Sequence, residues 1–532
     1  MILEANRADM KATMASAMHF VPDTSTTFFF VVLLPLLCLA ILTHFVRNYL
    51  KLHHIPGPYL ASSTRLWRFY HQRRGTLRHR LIQLHNEYGS LVRYAPSVVS
   101  IRDASAIQPI YSSVAASKHG SFTINDSYRP LLGIDPVTKG DVRSLVTMEE
   151  GPHGRMRRAV AGAFSAGSVG EMEGIVEETI VELLETFDRF CSESESQSGK
   201  GGACNLSRTM LWYSIDNATR LVFGEPGGCL RSNTDVQGLR DLTSERIAHW
   251  GAWSSLPDIE RLIYRNPISL RLRNTQPADF TRKAAARITE RLGKPWLSTQ
   301  PDLLNKLIEA REKYPDVMDV RGTVGIVMST ITGAADTTAG TLTATLYYLM
   351  RHPRVLQALL DELRQADVTL PIPKFAETKH LPYLDAVIKE SMRLFSVLNW
   401  PMERIVPANG FTINNTFIPA GSSVGVLPAA MHMDQSVYGS DVEVFRPERW
   451  LSGDVEVTRK MESSFLGFSR GKRVCLGQNI AVMQVKKVVP ALVVKYQFEL
   501  EREEQELDAE YSSAIVVAKE LPVRVKRKAG SK

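Results

Sequence analysis

FSRGKRVCLG, at residues 468–477, places an aromatic residue, two glycines, an arginine and a cysteine just before an apolar helical pattern. Gly471 and Gly477 let the backbone turn tightly. Backbone N–H groups around Cys475, and the positive end of a helix that begins near Leu476, would stabilise the sulfur as a thiolate. A lone mid-chain cysteine is usually a small buried apolar residue. That interpretation leaves the other four positions unexplained, so the loop predicts a thiolate ligand.

Two further motifs carry polar groups into segments of apolar helical periodicity. Glu390 and Arg393 share a helical face and can form an ion pair, which alone is a weak signal. It gains weight from FRPERW at residues 445–450. GAADTT, residues 333–338, lies within the long apolar segment 320–349, where a carboxylate and a hydroxyl are costly unless they have partners. The plain alternative is a threonine that bonds back to a carbonyl one turn earlier.

In their order and spacing these motifs resemble the cytochrome P-450 family over roughly residues 55–525. IPGPYLASSTRLWRFY and LHNEYGSLVRYAPSVVSI are similar to fungal microsomal members of the pisatin demethylase type. The resemblance implies a mainly α fold with a small β subdomain, the cytochrome P-450 fold, preceded by one transmembrane helix. Apolar periodicity independently predicts helices at 81–88, 155–164, 174–190 and 353–366, strands at 90–100 and 410–426, and an exposed loop at 192–202.

The resemblance also implies haem b as the cofactor and a role for each residue around it. Cys475 would be the axial ligand of the iron, which favours O–O cleavage, and Phe468 would shield the iron–sulfur bond from water. The haem propionates would pair with cationic or imidazole partners, namely Arg473, Arg157 with His153, and Arg404. A buried charged network would hold the cysteine loop in place, formed by Glu390, Arg393 and Arg449.

Asp336 and Thr337 are the predicted catalytic pair. By resemblance, the helix widens locally around them and leaves a groove for dioxygen and water. Thr337 would hydrogen-bond the oxygen and Asp336 would relay protons. The family usually has glycine where Ala334 stands, which implies a narrower groove. The predicted substrate-facing positions, for which core packing is an equally good explanation one by one, are Ser329, Thr332, Gly333, Val397, Leu398, Asn399 and Trp400.

Residues 28–46, FFFVVLLPLLCLAILTHFV, carry no formal charge and as a helix would span about 28 Å, close to the thickness of a bilayer core. Arginines and a lysine follow, so the positive-inside rule places the rest of the chain in the cytosol. The predicted organisation is a lumenal segment, a transmembrane anchor, a basic and proline-rich hinge and a cytosolic catalytic domain, at 1–27, 28–46, 47–58 and 59–532. By resemblance, the membrane is that of the endoplasmic reticulum.

Composition restricts the partners. With 532 residues, 44% of them hydrophobic and 23% charged, the chain is of ordinary globular type. Its five irregularly spaced cysteines argue against a disulfide framework or a zinc site. The net charge of +8 is spread along the chain without an aromatic–basic motif, which favours a membrane surface and an acidic protein over nucleic acid. Because no dinucleotide-binding glycine motif or flavin domain is evident, electrons must come from another protein.

The function that the resemblance implies is monooxygenation of a hydrophobic small molecule by O2, as hydroxylation, epoxidation or oxidative demethylation. Fungal members of this type commonly act in secondary metabolite biosynthesis, on terpenoids, polyketides or alkaloids. NADPH-derived electrons would arrive through NADPH-cytochrome P-450 reductase, with cytochrome b5 as a second candidate donor. The alternatives are a haem-thiolate isomerase or dehydratase and a non-enzymatic membrane haem-binding protein. The acid–alcohol pair Asp336 and Thr337 counts against both.

Microsomal reductases present an acidic face, so a cluster of cations on the cysteine side is predicted to receive it. Its members are Arg470, Lys472, Lys486, Lys487, Arg155 and Arg158. Solvated helix faces are the alternative interpretation of these cations. Residues 250–264 form an aromatic and aliphatic stretch that fits either contact with the membrane surface or a place in the core.

Overall fold

The computed structural model describes residues 28–112, 120–135, 138–142, 144–146, 148–195, 202–236, 238–272, 279–294 and 301–528. Helices dominate the described chain and short strands form small sheets beside them, which confirms the mainly α fold with a small β subdomain. The cysteine loop and the long apolar helix, predicted to form one site, lie on opposite sides of a cavity.

A single apolar helix comes first. A π-helical turn, Phe29–Leu33, leads into α1, Leu34–Lys51. The stretch Val31–Lys51 is 21 residues long, has a mean hydropathy of 1.9 and is almost entirely exposed, so this helix is long and apolar enough to cross a membrane. The helix ends at Lys51 rather than Val46, so the first part of the predicted hinge at 47–58 is helical. The predicted segment 1–27 lies outside the described residues.

The remaining helices follow in chain order. The first group is α2 (Tyr59–Ser63), α3 (Leu66–Arg73), α4 (Leu77–Tyr88), α5 (Ala104–Tyr111), α6 (Glu150–Val160), α7 (Ala166–Glu171), α8 (Glu173–Glu195) and α9 (Leu206–Phe223). The second is α10 (Cys229–Ser232), α11 (Leu239–Trp253), α12 (Pro257–Tyr264), α13 (Pro267–Leu272), α14 (Asp279–Gly293), α15 (Leu303–Lys313) and α16 (Val320–Arg351). The third is α17 (Pro353–Gln365), α18 (Phe375–Thr378), α19 (Pro382–Leu394), α20 (Pro428–Met431), α21 (Gln435–Tyr438), α22 (Val455–Ser464) and α23 (Gln478–Lys495).

The strands form one larger sheet and three smaller ones. They are β1 (Leu91–Ala95), β2 (Val98–Ile101), β3 (Thr123–Ile124), β4 (Gly202–Asn205), β5 (Arg404–Ile405), β6 (Phe411–Ile413), β7 (Thr416–Ile418), β8 (Ser423–Gly425), β9 (Tyr496–Leu500), β10 (Ala509–Glu510), β11 (Val517–Ala518) and β12 (Pro522–Arg527). The five-stranded sheet has the order β1-β2-β8-β5-β3, with β2 and β8 parallel and the other neighbours antiparallel. The smaller sheets are β4-β12-β9, β6-β7 and β10-β11.

The β6–β7 hairpin shows how turn residues set local structure. Asn414 and Asn415 connect its strands with φ of 48° and 57°, the left-handed region that asparagine tolerates. The predicted β-like run at 410–426 therefore divides into β6, β7 and β8. The run at 90–100 likewise divides into the antiparallel pair β1 and β2.

The long helix α16 passes through the middle of the domain and packs against α9, α14, α19 and α23. Its N-cap, Asp319, accepts a hydrogen bond from the backbone N–H of Gly322 at 2.7 Å. The α-helix is continuous from Val320 to Arg351, so the predicted local widening around Thr337 is wrong for this structure. The regular helix places Gly333, Asp336 and Thr337 near its midpoint, beside the cavity walls described below.

The predicted loop at 192–202 is only partly correct. The helix α8 continues to Glu195, and Gly202 begins β4. Residues 196–201 lie outside the described residues. A Cβ atom at Gly202 would lie 1.9 Å from the carbonyl oxygen of Phe190, so only glycine permits this close approach of strand and helix.

Candidate active site

The cysteine loop is held by backbone hydrogen bonds. The N–H of Cys475 donates to the carbonyl oxygen of Phe468 at 2.9 Å, and the N–H of Val474 donates to that of Gly471 at 3.1 Å. Gly471 has φ of +71°, and a Cβ atom there would lie 1.3 Å from the carbonyl oxygen of Tyr111. Both its conformation and its close contact therefore require glycine.

Gly477 does not need the conformational freedom predicted for it. Its φ is −80°, and a Cβ atom there would meet no atom within 4 Å. Gly477 is instead the N-cap of α23, which begins at Gln478 rather than near Leu476. The tight-turn explanation for Gly477 is therefore wrong.

The side chain of Cys475 is exposed because it faces a cavity, although the loop lies deep within the domain. Desolvation raises the pKa of its thiol. The N–H of Gly477 and the charge of Arg157 lower that pKa, but by less, so the pKa is raised overall. A metal ion bound by the sulfur would displace the proton, because the thiolate is the metal-binding form. Phe468 is half-buried and packs against the main core, so its shielding role stays a prediction.

Glu390, Arg393 and Arg449 meet in a fully buried network, as predicted. Glu390 Oε1 accepts from Arg393 Nη2 at 2.8 Å and from Arg449 Nε at 2.9 Å. Its Oε2 accepts from Trp450 Nε1 at 2.9 Å. Arg393 also donates to the carbonyl oxygens of His432 and Val442, at 2.9 and 2.6 Å. Every charge in this network thus has a partner.

His432 connects that network to the cysteine loop. Its carbonyl oxygen accepts from Arg393, and its Nε2 accepts from the backbone N–H of Leu466 at 3.0 Å. Burial first, and the charge of Arg393 second, lower the pKa of His432 to about 3, so the ring is neutral at physiological pH. Since Ser469 N–H in turn bonds to the carbonyl oxygen of Leu466 at 3.0 Å, His432 positions the start of the loop.

A cavity of about 370 Å³ separates the cysteine loop from α16. Cys475 and Gly477 form one wall, and Gly333, Ala334 and Thr337 of α16 form another. Further predicted residues that line it are His153, Arg157, Ser329, Leu398, Arg404 and Arg473. Tyr128, Leu131 and Met402, which no sequence pattern had marked, line it as well. The structure therefore gathers most of the predicted site around one space.

The cations of this cavity differ in their partners. Arg473 donates to Glu150 at 3.0 Å. Arg404 donates to the carbonyl oxygens of Met402 and Glu403 at 3.1 and 2.8 Å. Arg157 has no carboxylate within 4 Å in the described part of the chain. Burial first, and Arg473 second, lower the pKa of His153 to about 4.

These residues fit haem b. The cavity presents one thiol, three guanidiniums and a neutral imidazole in a mainly apolar lining, which matches an iron porphyrin that carries two carboxylates. The unpaired guanidinium of Arg157 is the strongest indication of a haem propionate, because a half-buried cation needs an anion beside it to be stable. The pairing of Arg473, Arg404 and His153 with propionates stays a prediction.

The two catalytic candidates lie on adjacent parts of α16. Thr337 Oγ1 donates to the carbonyl oxygen of Gly333 at 2.6 Å, so the plain alternative for this hydroxyl is realised. Thr337 nevertheless lines the cavity. Burial raises the pKa of Asp336 to about 6, and the charge of Arg240 opposes that rise. Asp336 therefore exchanges a proton near neutral pH.

A second, smaller cavity of about 180 Å³ shares walls with the first. Leu131, Val146, Ser329, Gly333 and Thr337 line both, whereas Thr332, Asp336, Arg246 and Trp250 line only the second. Ser329, Thr332 and Gly333, predicted to face the substrate, thus line cavities. Thr332 and Ser329 donate their hydroxyl protons to carbonyl oxygens one turn earlier, at 2.8 and 2.7 Å.

Three predicted substrate-facing residues belong to the core instead. Val397, Asn399 and Trp400 line neither of the two cavities. Val397 packs with Phe395 in a small apolar cluster. Asn399 Nδ2 donates to the carbonyl oxygen of Ser513 at 3.0 Å, which holds this strand-like segment against the C-terminal chain. Leu398 is the residue of this stretch that lines the cavity, and its neighbours Val397 and Asn399 point to the other face because alternate residues of an extended chain point to opposite faces.

The predicted docking cluster is partly wrong. Lys487 is fully buried and donates to Glu173 and, at 2.7 Å, to Glu177. Lys486 is buried and pairs with Asp385 at 2.7 Å. Lys472 donates to Ser121 at 2.6 Å, and Arg470 donates to the carbonyl oxygen of Glu462. The exposed members of the cluster are Arg155 and Arg158.

In the stretch 250–264, some residues belong to the core and others are exposed, as membrane contact would require. Trp250 is 4% exposed and its Nε1 donates to the carbonyl oxygen of Ser127 at 3.0 Å, so it belongs to the core. Leu262 is 71% exposed, and Ile259 and Ile263 are exposed beside it on α12. This apolar face is compatible with membrane contact.

Comparison with known proteins places this site in a family. Residues 60–527 match the family model described as cytochrome P450. A cytochrome P450 monooxygenase of Aspergillus terreus is 31% identical over 461 residues, which are 85% of this chain and 91% of that protein. Cytochrome P450 monooxygenase cicH of Emericella nidulans is 30% identical over 501 residues, 92% of this chain and 96% of that protein.

A third relative is longer than this chain. Cytochrome P450 monooxygenase mpaDE of Penicillium roqueforti is 29% identical over 461 residues, and the match covers 85% of this chain and 53% of that protein. The chain thus spans about half the length of this relative. The family match, the fungal relatives and the cysteine loop facing α16 agree, and the chain belongs to the cytochrome P450 family, as an oxidoreductase of the monooxygenase type.

Proposed function

We propose that this protein is a membrane-anchored haem-thiolate monooxygenase that inserts one oxygen atom from O2 into a hydrophobic small molecule. The observation that carries the proposal is the position of Cys475 across one cavity from Thr337. An isomerase or a haem carrier would have no use for Asp336, whose pKa is raised to about 6 beside that wall. A hydroxylation, an epoxidation or an oxidative demethylation are all compatible with the lining.

Haem b would be held by Cys475 through its thiolate and by Arg157, Arg404, Arg473 and His153 through the propionates. When bound, the haem supplies the activation of dioxygen. The protein supplies orientation and a dry cavity, since the lining is mainly apolar. The Glu390 network and His432 keep the loop in place, so that the sulfur points into the cavity.

Asp336 and Thr337 would move protons. A carboxyl group with a pKa of about 6 is partly protonated near neutral pH and can return the proton it gives. The hydroxyl proton of Thr337 is committed to Gly333, so its oxygen first accepts a hydrogen bond from a cavity donor. Rotation of the hydroxyl would then direct its proton into the cavity.

We further propose the cellular setting. The apolar helix Val31–Lys51 would anchor the protein in the endoplasmic reticulum membrane, with the catalytic domain in the cytosol. NADPH-cytochrome P-450 reductase, and cytochrome b5 as a second donor, would supply electrons. Fungal secondary metabolite biosynthesis is the proposed pathway class, because the relatives are fungal monooxygenases that match most of this chain. Terpenoids, polyketides and alkaloids are all compatible with a hydrophobic cavity.

Isotope labelling tests the reaction. Metabolites of a deletion strain are compared with those of its parent, and the compound that accumulates is supplied to microsomes with reductase and NADPH under labelled dioxygen. We expect the product to carry one labelled oxygen atom while the other leaves as labelled water; in a demethylation the inserted atom leaves with the methyl carbon as labelled formaldehyde. Product formation under argon without NADPH would instead identify an isomerase or dehydratase. Microsomes that carry Cys475→Ser serve as the control.

A further inference from the structure

Arg246, on α11, lines the second cavity and is held in a fixed position. Its Nε donates to the carbonyl oxygen of Leu131 at 3.0 Å. The guanidinium lies against Gly133, where a Cβ atom would come within 2.9 Å of one terminal nitrogen and 3.2 Å of the other. Glycine at this position thus makes room for the guanidinium.

The charge of Arg246 has no counter-ion among the described residues, where no carboxylate lies within 4 Å of it. Its neighbour Arg265 is paired, with Glu260 at 2.9 Å and with Asp141 at 2.5 Å. Burial first, and the charge of Arg265 second, lower the pKa of Arg246. An uncompensated cation of this kind costs stability and is retained where an anion arrives from elsewhere.

The rest of the second cavity does not satisfy the guanidinium. Ile247, Trp250 and Met328 give it apolar walls. The hydroxyls of Thr243 and Thr332 donate to backbone carbonyl oxygens at 2.8 Å each. Asp336 also lines this cavity, but the cation that lowers its pKa is Arg240.

The second cavity adjoins the first. Ser329, Gly333 and Thr337 line both spaces. A molecule anchored at Arg246 can therefore extend along α16 to the wall that faces Cys475. Terminal nitrogens of a guanidinium form a planar fork that fits the two oxygens of a carboxylate.

We propose that Arg246 binds a carboxylate of the substrate, so that the substrate class is a hydrophobic carboxylic acid. This inference rests on the monooxygenase function proposed above and specifies its substrate. The carboxylate lies beside α11, the apolar body fills the second cavity, and the reacting carbon lies near Thr337. The acid group thereby fixes which carbon faces Cys475.

The test is equilibrium binding to the haem-loaded, full-length protein by calorimetry. Three probe acids of different shape, decanoic, 1-naphthoic and abietic acid, are each compared with the primary alcohol of the same skeleton. For at least one pair we expect the wild type to bind the acid about 10- to 100-fold more tightly, since hydrogen bonds to charged groups contribute about 1.5–3 kcal/mol. Arg246→Gln should reduce that ratio to about one. Arg246→Lys, which keeps the charge and loses the fork, should retain part of it.

Arg261→Gln is the matched control, because Arg261 is exposed on α12 and lines neither cavity. It should keep the full preference for the acid. The reduced carbon monoxide spectrum of each variant verifies that the fold and the haem are intact, and Arg246→Lys replaces Arg246→Gln if the latter loses them.

Two failures are distinguishable. If the wild type shows a normal thiolate spectrum but prefers the acid in none of the three pairs, the inference is wrong and the monooxygenase proposal stands. The inference is also wrong if Arg246→Gln and Arg246→Lys both keep the wild-type ratio. If the wild type lacks the thiolate spectrum, the proposed function itself fails, whatever the binding ratios are.

Discussion

The charged network behind the cysteine loop and the second cavity differ in whether their charged side chains have partners. In the charged network, Glu390 is 0% exposed and each of its oxygens accepts at least two hydrogen bonds from side chains. In the second cavity, Arg246 and Asp336 have no ion pair among the described residues. Paired buried charges hold a structure in one arrangement, whereas unpaired ones store free energy that a ligand or a proton can release.

The same contrast separates the cations of the predicted docking cluster into two groups. Lys487 lies between Glu173 and Glu177 and is structural. Arg155 and Arg158 are exposed on α6 without an ion pair among the described residues. A cation that is already paired with carboxylates within the chain is therefore structural, whereas an exposed cation without such a pair can bind another protein.

The charged network should show the largest effect. Glu390→Gln keeps the shape of the side chain but leaves Arg393 without its counter-charge and Arg449 with Asp441 alone, which we expect to cost about 3–5 kcal/mol of unfolding free energy. Chemical denaturation and the haem content of the purified protein measure this. Arg459→Gln is the control, because its pair with Glu456 is 74% and 75% exposed and its loss should leave the stability nearly unchanged. Equal stability of both variants would contradict the structural role of the network.

Replacing Asp336 in the second cavity should raise the free energy of unfolding, whereas replacing Glu390 should lower it. The pKa of Asp336 is raised to about 6, so its contribution to stability is present below about pH 4 and is lost as pH rises through 6. Asp336→Asn avoids that loss, and we expect it to be more stable by about 3 kcal/mol at pH 7.5 and by about half of that at pH 5. Denaturation at both pH values measures the gap. Turnover should fall in the same variant, and a destabilised Asn variant at pH 7.5 would refute the assignment.

Thr337→Ala tests the catalytic role of the hydroxyl group that lines both cavities. The cavity loses the hydrogen-bonding oxygen of Thr337, and we expect about five times more hydrogen peroxide per NADPH, the factor for one hydrogen bond of about 1 kcal/mol. Haem binding should be unchanged. Thr341→Ala is the matched control, since Thr341 donates to the carbonyl oxygen of Thr337 at 2.9 Å and lines neither cavity. Unchanged peroxide release in Thr337→Ala would show that another group supplies the protons.

The surface cations should show the smallest effect. Reversing Arg155 and Arg158 to glutamate should slow reductase-dependent turnover about two- to five-fold at low salt, because steering of an acidic partner depends on unscreened charge. The peroxide-driven reaction should be nearly unaffected, and the difference should disappear at about 0.5 M salt. Lys487→Glu, by contrast, should lower both reactions through loss of folded protein. Equal loss of both reactions in the arginine variant would place the docking face elsewhere.

Sequence patterns could predict those parts of the site that local constraints encode. The cysteine loop, the Glu390–Arg393 pair on one helical face and the long α16 all follow from spacing within short segments. Arg246 could not be found this way, because only the packing of α11 across α16 brings it to the cavity. Lys487 was misjudged for the same reason, since Glu177 lies 310 positions away in the chain.

The central claim is that Cys475 is the thiolate ligand of a haem iron, and the reduced carbon monoxide spectrum of the purified protein tests it most directly. We expect the wild type to show the red-shifted Soret band of a thiolate-ligated haem, and Cys475→Ser and Cys475→His to lose it. Cys229→Ser is the control, because this cysteine is buried away from the cavity. Retention of the thiolate band in the Cys475 variants, or its absence from the wild type, would contradict the account.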